Sequence, residues 1–404
     1  MVRRHAAPEL ITDLAYDAKA ADTPTRQGRS GFGAALRHTY AMFLGRRLGK
    51  PARHQRRRTL TSLGLATALS LSLASCGDDG GARAVTGGTR GTGAGGESDG
   101  PDDTISTAGA VELNGEWPLT GETLEGDLPP HPVYAVKIDN TAGSAPQVGL
   151  SSADMVVEEL VEGGLTRLAV FYYTALPDTV GPVRSMRATD IGILKPVDAT
   201  MIASGGAERT IRRLAGADVP MLTEGSPGFF RDDFRLAPYN LFVTLSEAAA
   251  SPGARWTPPR DPYLPFGDPS DFSGDMPVTS IAATFSDSYT TSWEYSGAGW
   301  TRPQSLAQSG DDFVADNVLL LRVKVGDAGY LDPGGYAVPE TFFYGTGEAI
   351  LVHGDQALKC VWTKKDEGTP LTLATEQGDD VTVPAGHTWI ELVPTKGGRV
   401  TLEK

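Results

Sequence analysis

Arg184 and Arg187 stand in the run Gly181-Pro182-Val183-Arg184-Ser185-Met186-Arg187, at the expected start of a helix over Ser185 to Leu194. Cations are unfavourable near the positive end of a helix dipole, so this placement calls for an anion or a carboxylate beside them. Asp190, one turn beyond Arg187, is the plain intramolecular partner. A phosphate or carboxylate ligand is the functional alternative. A third arginine comes from a pair of apolar-rich runs, Met155 to Glu162 and Leu165 to Tyr173, separated only by Gly163-Gly164. If those glycines form a two-residue hairpin tip, Glu162 pairs with Leu165 and Leu160 with Arg167. Period-two alternation then places Glu158, Leu160 and Glu162 on one face with Leu165, Arg167 and Ala169, and sets Arg167 diagonally between two carboxylates. That set is either a polar site on a sheet face or an ion-pair cluster that fixes register. Carboxylates clamped by arginine are poor proton donors, which favours the cluster. A capped helix over Ser151 to Gly163 is the rival to the hairpin.

Weaker candidates surround these. Asp139-Asn140 closes the strand-like run Val133 to Ile138, as a ligand contact or as simple Asx-turn chemistry. Gly205-Gly206-Ala207-Glu208 could cradle a phosphate with backbone N–H groups but lacks a P-loop lysine, so a tight strand-to-helix turn is the simpler reading. Phe229-Phe230-Arg231-Asp232-Asp233-Phe234-Arg235 interleaves aromatics with charges and reads as a loop closing on its own domain. Beyond residue 76 the histidines are His131, His353 and His387, without metal-ligand spacing, so neither a metal nor a cofactor is expected.

The elements that must position these residues fall into two regions. From about Asn114 to Leu245, strand patterns alternate with helical ones, including Ala199 to Ser204 and Glu208 to Leu214, which implies an α/β or α+β domain over 113–250. A Pro/Gly/Asp-rich passage, Ser251 to Asp275, reads as a linker. Over 276–404 the runs Ile281 to Phe285, Thr291 to Tyr295, Val318 to Val325, Ala349 to Val352, Val361 to Lys364, Leu371 to Ala374 and Thr388 to Val393 read as strands, so this domain should be mainly β.

The first quarter of the chain concerns location. Arg56, Arg57 and Arg58 precede an uncharged run from Leu60 to Ala74, long enough for a secretory core and too short to span a bilayer. The run ends in Leu73-Ala74-Ser75-Cys76, which resembles a bacterial lipobox whose cysteine receives diacylglycerol. Residues 1–75 are therefore expected to be removed, by the Sec or the twin-arginine route, leaving the protein lipid-anchored on the extracytoplasmic face of the cell membrane. Gly77 to Gly109 holds 11 glycines in 33 residues, so 76–112 reads as a flexible tether, with a span of roughly 30 Å. Cys76 and Cys360 are the only cysteines; with Cys76 lipidated, no intramolecular disulfide is possible, and Cys360 in a strand-like run reads as a small buried hydrophobe. Residues 1–75 carry 13 of the 36 Lys and Arg but 4 of the 50 Asp and Glu, so the remainder has a net charge of −23. Such a body repels phosphate backbones, which argues against a nucleic-acid partner.

Several stretches of the sequence resemble the YerB-like bacterial lipoproteins, a family with two domains of unknown function. They are Ala135-Val136-Lys137-Ile138-Asp139-Asn140, Pro146 to Ser151, Ala153-Asp154, Val161 to Arg167, Gly181 to Arg187 and Ala237-Pro238-Tyr239-Asn240-Leu241, then Ala315 to Val318 and Pro384 to Ile390. The resemblance covers about residues 114 to 404 in order and makes Asn240 a further ligand candidate. Relatives usually carry histidine where this chain has Ala203 and Tyr239, so acid-base chemistry resting on those groups is not available here. The combined expectation is a membrane-anchored binding or assembly module of the cell envelope, with an envelope protein or an anionic ligand as partner. The alternative is an enzyme acting on a phosphate-bearing envelope substrate through an arginine-lined cleft.

Overall fold

The computed structural model describes residues 113, 115–250 and 257–404, all within one compact unit. The expected signal segment, Cys76 and the Gly-rich tether lie outside the described residues. In the first half the elements are β1 (Tyr134–Asp139), β2 (Met155–Leu160), β3 (Thr166–Tyr172), α1 (Asp190–Leu194), β4 (Thr200–Ala203), α2 (Glu208–Gly216), β5 (Met221–Thr223), β6 (Phe229–Arg231), β7 (Leu241–Val243) and α3 (Leu245–Ala249). All six residues of β1 are buried, so the strand needs cover on both faces and neighbours on both edges. It pairs antiparallel with β3 and parallel with β4, and α2 carries the chain from β4 to a parallel β5.

The second half is strand-rich. It contains β8 (Phe266–Gly267), β9 (Met276–Pro277), β10 (Ser280–Ser286), β11 (Tyr289–Tyr295), β12 (Trp300–Thr301), β13 (Asn317–Leu331), β14 (Ala337–Phe342), β15 (Gly345–His353), β16 (Gln356–Lys364), β17 (Thr372–Ala374), β18 (Asp380–Val381), β19 (Val383–Pro384), β20 (Thr388–Pro394) and β21 (Arg399–Glu403). Its main strands continue the sheet of the first half, in the order β18-β17-β16-β15-β13-β20-β2-β3-β1-β4-β5. The join is β20, which runs parallel to both β13 and β2 and buries all seven of its residues. Against one face lie the helices, with Ile191 and Leu214 packed on the side of Val157, Ala169 and Leu392. Against the other lies a second sheet, β12-β11-β10-β21, whose Phe285, Trp293 and Trp300 pack on the side of Val156, Leu168 and Trp389.

Three local expectations are corrected. The strands around Gly163-Gly164 form a hairpin, but its loop is five residues, Val161 to Leu165, closed by a 2.8 Å bond from the Val161 N–H to the Leu165 carbonyl. Both glycines have φ of +73°, the left-handed conformation the turn needs, within a short 3-10 segment that a two-residue tip does not anticipate. The register becomes Leu160 with Thr166 and Glu159 with Arg167. A slip of one residue reverses the face of every side chain, so Glu158 points away from Arg167. The helix begins at Asp190 rather than Ser185, because the preceding residues bond outward: Arg184 N–H to Lys137 O, Met186 N–H to Gly205 O, and Ser204 N–H to Arg184 O. The described part of the Pro/Gly/Asp-rich passage is packed rather than open: Tyr263 and Leu264 are buried and β8 pairs with β19. Composition there reports turns, while a few apolar side chains anchor it.

Because β20 is a central strand for both halves, residues 113–404 should unfold in one cooperative calorimetric transition, and a fragment ending at residue 255 should lack a sharp one. Two resolved transitions in the intact chain would show that the halves are independently stable.

Candidate functional site

Asp139, at the end of β1, lies opposite Arg167 on β3. The extended segment that crosses the ends of β1 and β4 delivers Arg184 and Arg187 to the same place. Arg184 Nε donates to Asp139 Oδ2 at 2.8 Å, while the Thr141 N–H donates to Asp139 Oδ1 at 2.9 Å. Glu162, in the hairpin loop, takes both remaining guanidinium groups: Arg167 Nη2 at 3.1 Å, Arg187 Nε at 2.9 Å, and a second bond from Arg187 Nη2. Arg167 Nη1 also donates to the Ser185 carbonyl at 3.1 Å. Burial, then the like charge of Arg187, brings the Arg167 guanidinium down to about 10. Burial opposes the charge on Glu162, yet the hydrogen bond from Arg187 and the charges of Arg167 and Arg187 hold it below the usual carboxyl range. Asp190 does not serve the Arg187 side chain; its Oδ2 accepts the Arg187 backbone N–H at 2.6 Å.

Asp139, Glu162, Arg167 and Arg184 line a cleft of about 200 Å³ whose outer walls come from two places the sequence did not connect. Tyr239, in the loop between β6 and β7, lies 5.6 Å from Arg184 in a cation–π contact. Asp332 and Tyr336 come from the turn between β13 and β14. No local pattern marks Asp332 or Tyr336, because a distant strand pairing brings them over the first half. Three guanidinium groups thus meet two carboxylates, those of Asp139 and Glu162, while Asp332 lines the cleft with its Oδ1 on the Tyr336 N–H at 2.7 Å. Among the remaining candidates, Asn240 is elsewhere, accepting from Arg231 Nη1 at 2.6 Å. Ala203 is buried within β4. Cys360 is buried, which lifts its thiol to about 11. Among the described residues no group of His, Cys, Asp and Glu is arranged to hold a metal ion, and no helix is long and apolar enough to cross a membrane.

Glu158 and Asn140 belong to the opposite face. Asn140 Nδ2 donates to Glu158 Oε1 and Thr166 Oγ1, both at 3.0 Å, and Thr291 Oγ1 donates to Glu158 Oε1 at 2.9 Å. Beside Glu158 in register is Glu391 on β20, also fully buried, and the Oε2 atom of each carboxyl group has no hydrogen-bond partner in the protein. Trp293 Nε1 donates to Glu391 Oε1 at 2.8 Å. Arg302 lies 4.2 Å from the Trp389 ring in a cation–π contact, and with Tyr289 it supplies the titratable groups facing the pair. Burial, and then the charge of Glu158, lift Glu391 well above the ordinary carboxyl range. Burial also raises Glu158, against the Thr166 hydroxyl, the charge of Arg302 and the Thr291 hydroxyl. Burial and the mutual repulsion of the two carboxylates therefore both disfavour ionising the pair. A hollow of about 480 Å³, lined by Asn140, Tyr289, Thr291 and Arg302, lies over these partners.

The fold and the joined sheet define one compact unit with a mixed first half and a strand-rich second half. Residues 119–255 match the family described as protein of unknown function (DUF3048) N-terminal domain, and residues 281–390 match its C-terminal domain. Together they take in more than half of the chain, which belongs to the YerB-like family. "Putative lipoprotein YerB" of Bacillus subtilis (strain 168) is 31% identical over 153 residues, covering 36% of this chain and 46% of that relative, so the match spans about half its length. The crystal structure of YerB protein from Bacillus subtilis shares the fold, with a TM-score of 0.59 at 22% identity over 70% of this chain and 99% of that one.

The acid pair generates a prediction with a definite sign. Carboxyl values raised above 4.5 in the native state mean that the folded protein holds protons the unfolded chain releases. Their contribution is complete below pH 4.5 and is lost as pH rises, by up to ~1.4 kcal/mol per pH unit for one proton. Glu391→Gln keeps the size of the side chain and removes one of the two buried acids. Its stability in urea at pH 5 should stay within ~1 kcal/mol of wild type and should fall less steeply toward pH 8. Equal slopes in the two proteins would refute the raised carboxyl values.

Proposed function

We propose that the mature protein is an exported, lipid-anchored binding module of the cell envelope, held through Cys76 and docking a protein partner around the arginine cleft. The observation that carries this reading is the charge balance of the cleft. Arg184 is engaged by Asp139, and Arg167 and Arg187 by Glu162, so no open cationic pocket awaits an anion. The walls instead present apolar groups to solvent. The loop that supplies Tyr239 also exposes Phe234 and Leu236, and the turn that supplies Asp332 and Tyr336 exposes Leu331. Exposed aromatic and aliphatic side chains around a polar, rigidly paired centre suit protein docking. The lipobox-like run ending at Cys76 and a relative named as a lipoprotein support the anchor. The alternative, an enzyme for a phosphate-bearing envelope substrate, requires Arg184 to leave Asp139 for the substrate, and the partial exposure of that arginine is what favours it.

Two variants separate the readings. Cys76→Ala should leave the precursor uncleaved or release the protein from membranes, with mass and fractionation as the readout; unchanged values for both would remove the anchor. Arg184→Ala, tested with inorganic pyrophosphate as probe, should lower stability by ~1–3 kcal/mol through loss of the Asp139 pair, and calorimetry should show no pyrophosphate binding by wild type. Pyrophosphate binding by wild type that is abolished in Arg184→Ala at unchanged stability would overturn the docking module in favour of the enzyme.

A further inference from the structure

Beneath the arginine cleft, on the helix-covered face of the sheet, three ionisable side chains are wholly shut off from solvent: Lys137 of β1, Glu159 of β2 and Asp190, the first residue of α1. Lys137 Nζ contacts Asp190 Oδ1 at 2.6 Å and also Glu159 Oε1. The other Asp190 oxygen, Oδ2, is held by the Arg187 backbone N–H at 2.6 Å. An amine, a carboxyl group polarised by a backbone donor, and a second carboxyl group touching the amine are the components of an amide condensation, already in contact and without bulk water. Effective concentrations in such an arrangement are very high, and joining amine to carboxyl removes two buried charges whose desolvation is costly.

We propose that Lys137 and Asp190 are joined by an intramolecular isopeptide bond, with Glu159 as the proton carrier. The step requires the reacting form in which the proton between Lys137 and Asp190 lies on Asp190 Oδ1, leaving Nζ a free amine, and Glu159 carries a second proton. The Nζ lone pair attacks Asp190 Cγ, and the developing negative charge on Oδ2 is met by the Arg187 N–H. Protonated Glu159 gives its proton to Oδ1, which leaves Cγ as water, and accepts one from Nζ in its place. The C–N bond forms, the Cγ–Oδ1 bond breaks, one water is released, and Glu159 ends in its starting protonation state. Nothing is oxidised or reduced. Oδ2 becomes the amide carbonyl and keeps its bond from Arg187. The product ties β1 to α1 across 53 residues of chain, constraining the unfolded state as a disulfide would, in a chain whose two cysteines cannot supply that link if Cys76 carries lipid. Burial, partly offset by Lys137 and reinforced by Asp190, raises Glu159 above the usual carboxyl range, in keeping with a residue that carries a proton here.

Mass spectrometry of the full chain, digested with trypsin, is the test. The expected product is a branched peptide joining Lys137 to Asp190, lighter by one water than its two linear parts. Asp190→Ala should yield only linear peptides, and Glu159→Gln should abolish or strongly slow formation of the branch while near-ultraviolet circular dichroism still reports a packed core. Linear peptides at full sequence mass for both segments of the wild type would overturn the proposal, whatever the variants do. Undiminished cross-linking in folded Glu159→Gln would overturn the role given to Glu159.

Discussion

The position of the arginine cleft depends on Lys137. Its carbonyl accepts the Arg184 N–H at 2.7 Å, and its buried Nζ contacts Asp190 Oδ1, while Asp190 Oδ2 accepts the Arg187 N–H. One residue therefore fixes both arginines, one through its backbone and one through its side chain. The segment between them cannot coil into a helix without breaking those bonds, which is why two arginines leave an extended stretch and converge on Glu162 and Asp139. A lysine without solvent exposure is tolerable only when paired, so the same desolvation that makes it expensive also makes its partners specific.

Glu158 and Glu159 are neighbours in sequence on opposite faces of β2, and each face disposes of its carboxyl group differently. Toward the helices, Glu159 meets a lysine. Toward the second sheet, Glu158 meets no buried lysine but another acid, Glu391, and the pair is accommodated by donors from Asn140, Thr291 and Trp293. That second solution joins the halves of the molecule, because Glu391 arrives on β20. The central strand is thus bound by its backbone ladders to β13 and β2 and by a polar cluster that forms only when both halves are present.

Much of this was legible in local pattern. The strands of both halves and the strand-to-helix turn at Gly205-Gly206 follow from alternation and turn chemistry, and the need of guanidinium groups for partners marks Arg167, Arg184 and Arg187, but their convergence on Asp139 and Glu162 was not contained in that reading. What was not legible came from pairings between distant segments. Glu391, Arg302, Asp332 and Tyr336 reach their places only after β20 and the β13–β14 ribbon have crossed to the first half, and no window of sequence contains that information. The hairpin register failed for a local reason: two adjacent glycines are equally compatible with a two-residue tip and with the middle of a five-residue loop, and the choice reverses the faces of Glu158 and Arg167.

The charge balance within the cleft also bears on how a partner would be chosen under the docking proposal. Residues beyond 75 carry a net charge of −23, so the long-range field repels polyanions, while at short range each of the three arginines is already engaged by Asp139 or Glu162. Selectivity then falls to shape and apolar contact at Phe234, Leu236, Leu331 and Tyr336, with the ion-pair network acting as a stiff base that fixes the two walls. A partner that inserted a lone carboxylate would have to displace Asp139 or Glu162 from a guanidinium, leaving one carboxylate unpaired for each one satisfied. A partner presenting paired donors and acceptors, such as backbone amides, would disturb neither, and that asymmetry favours a polypeptide over an anionic substrate.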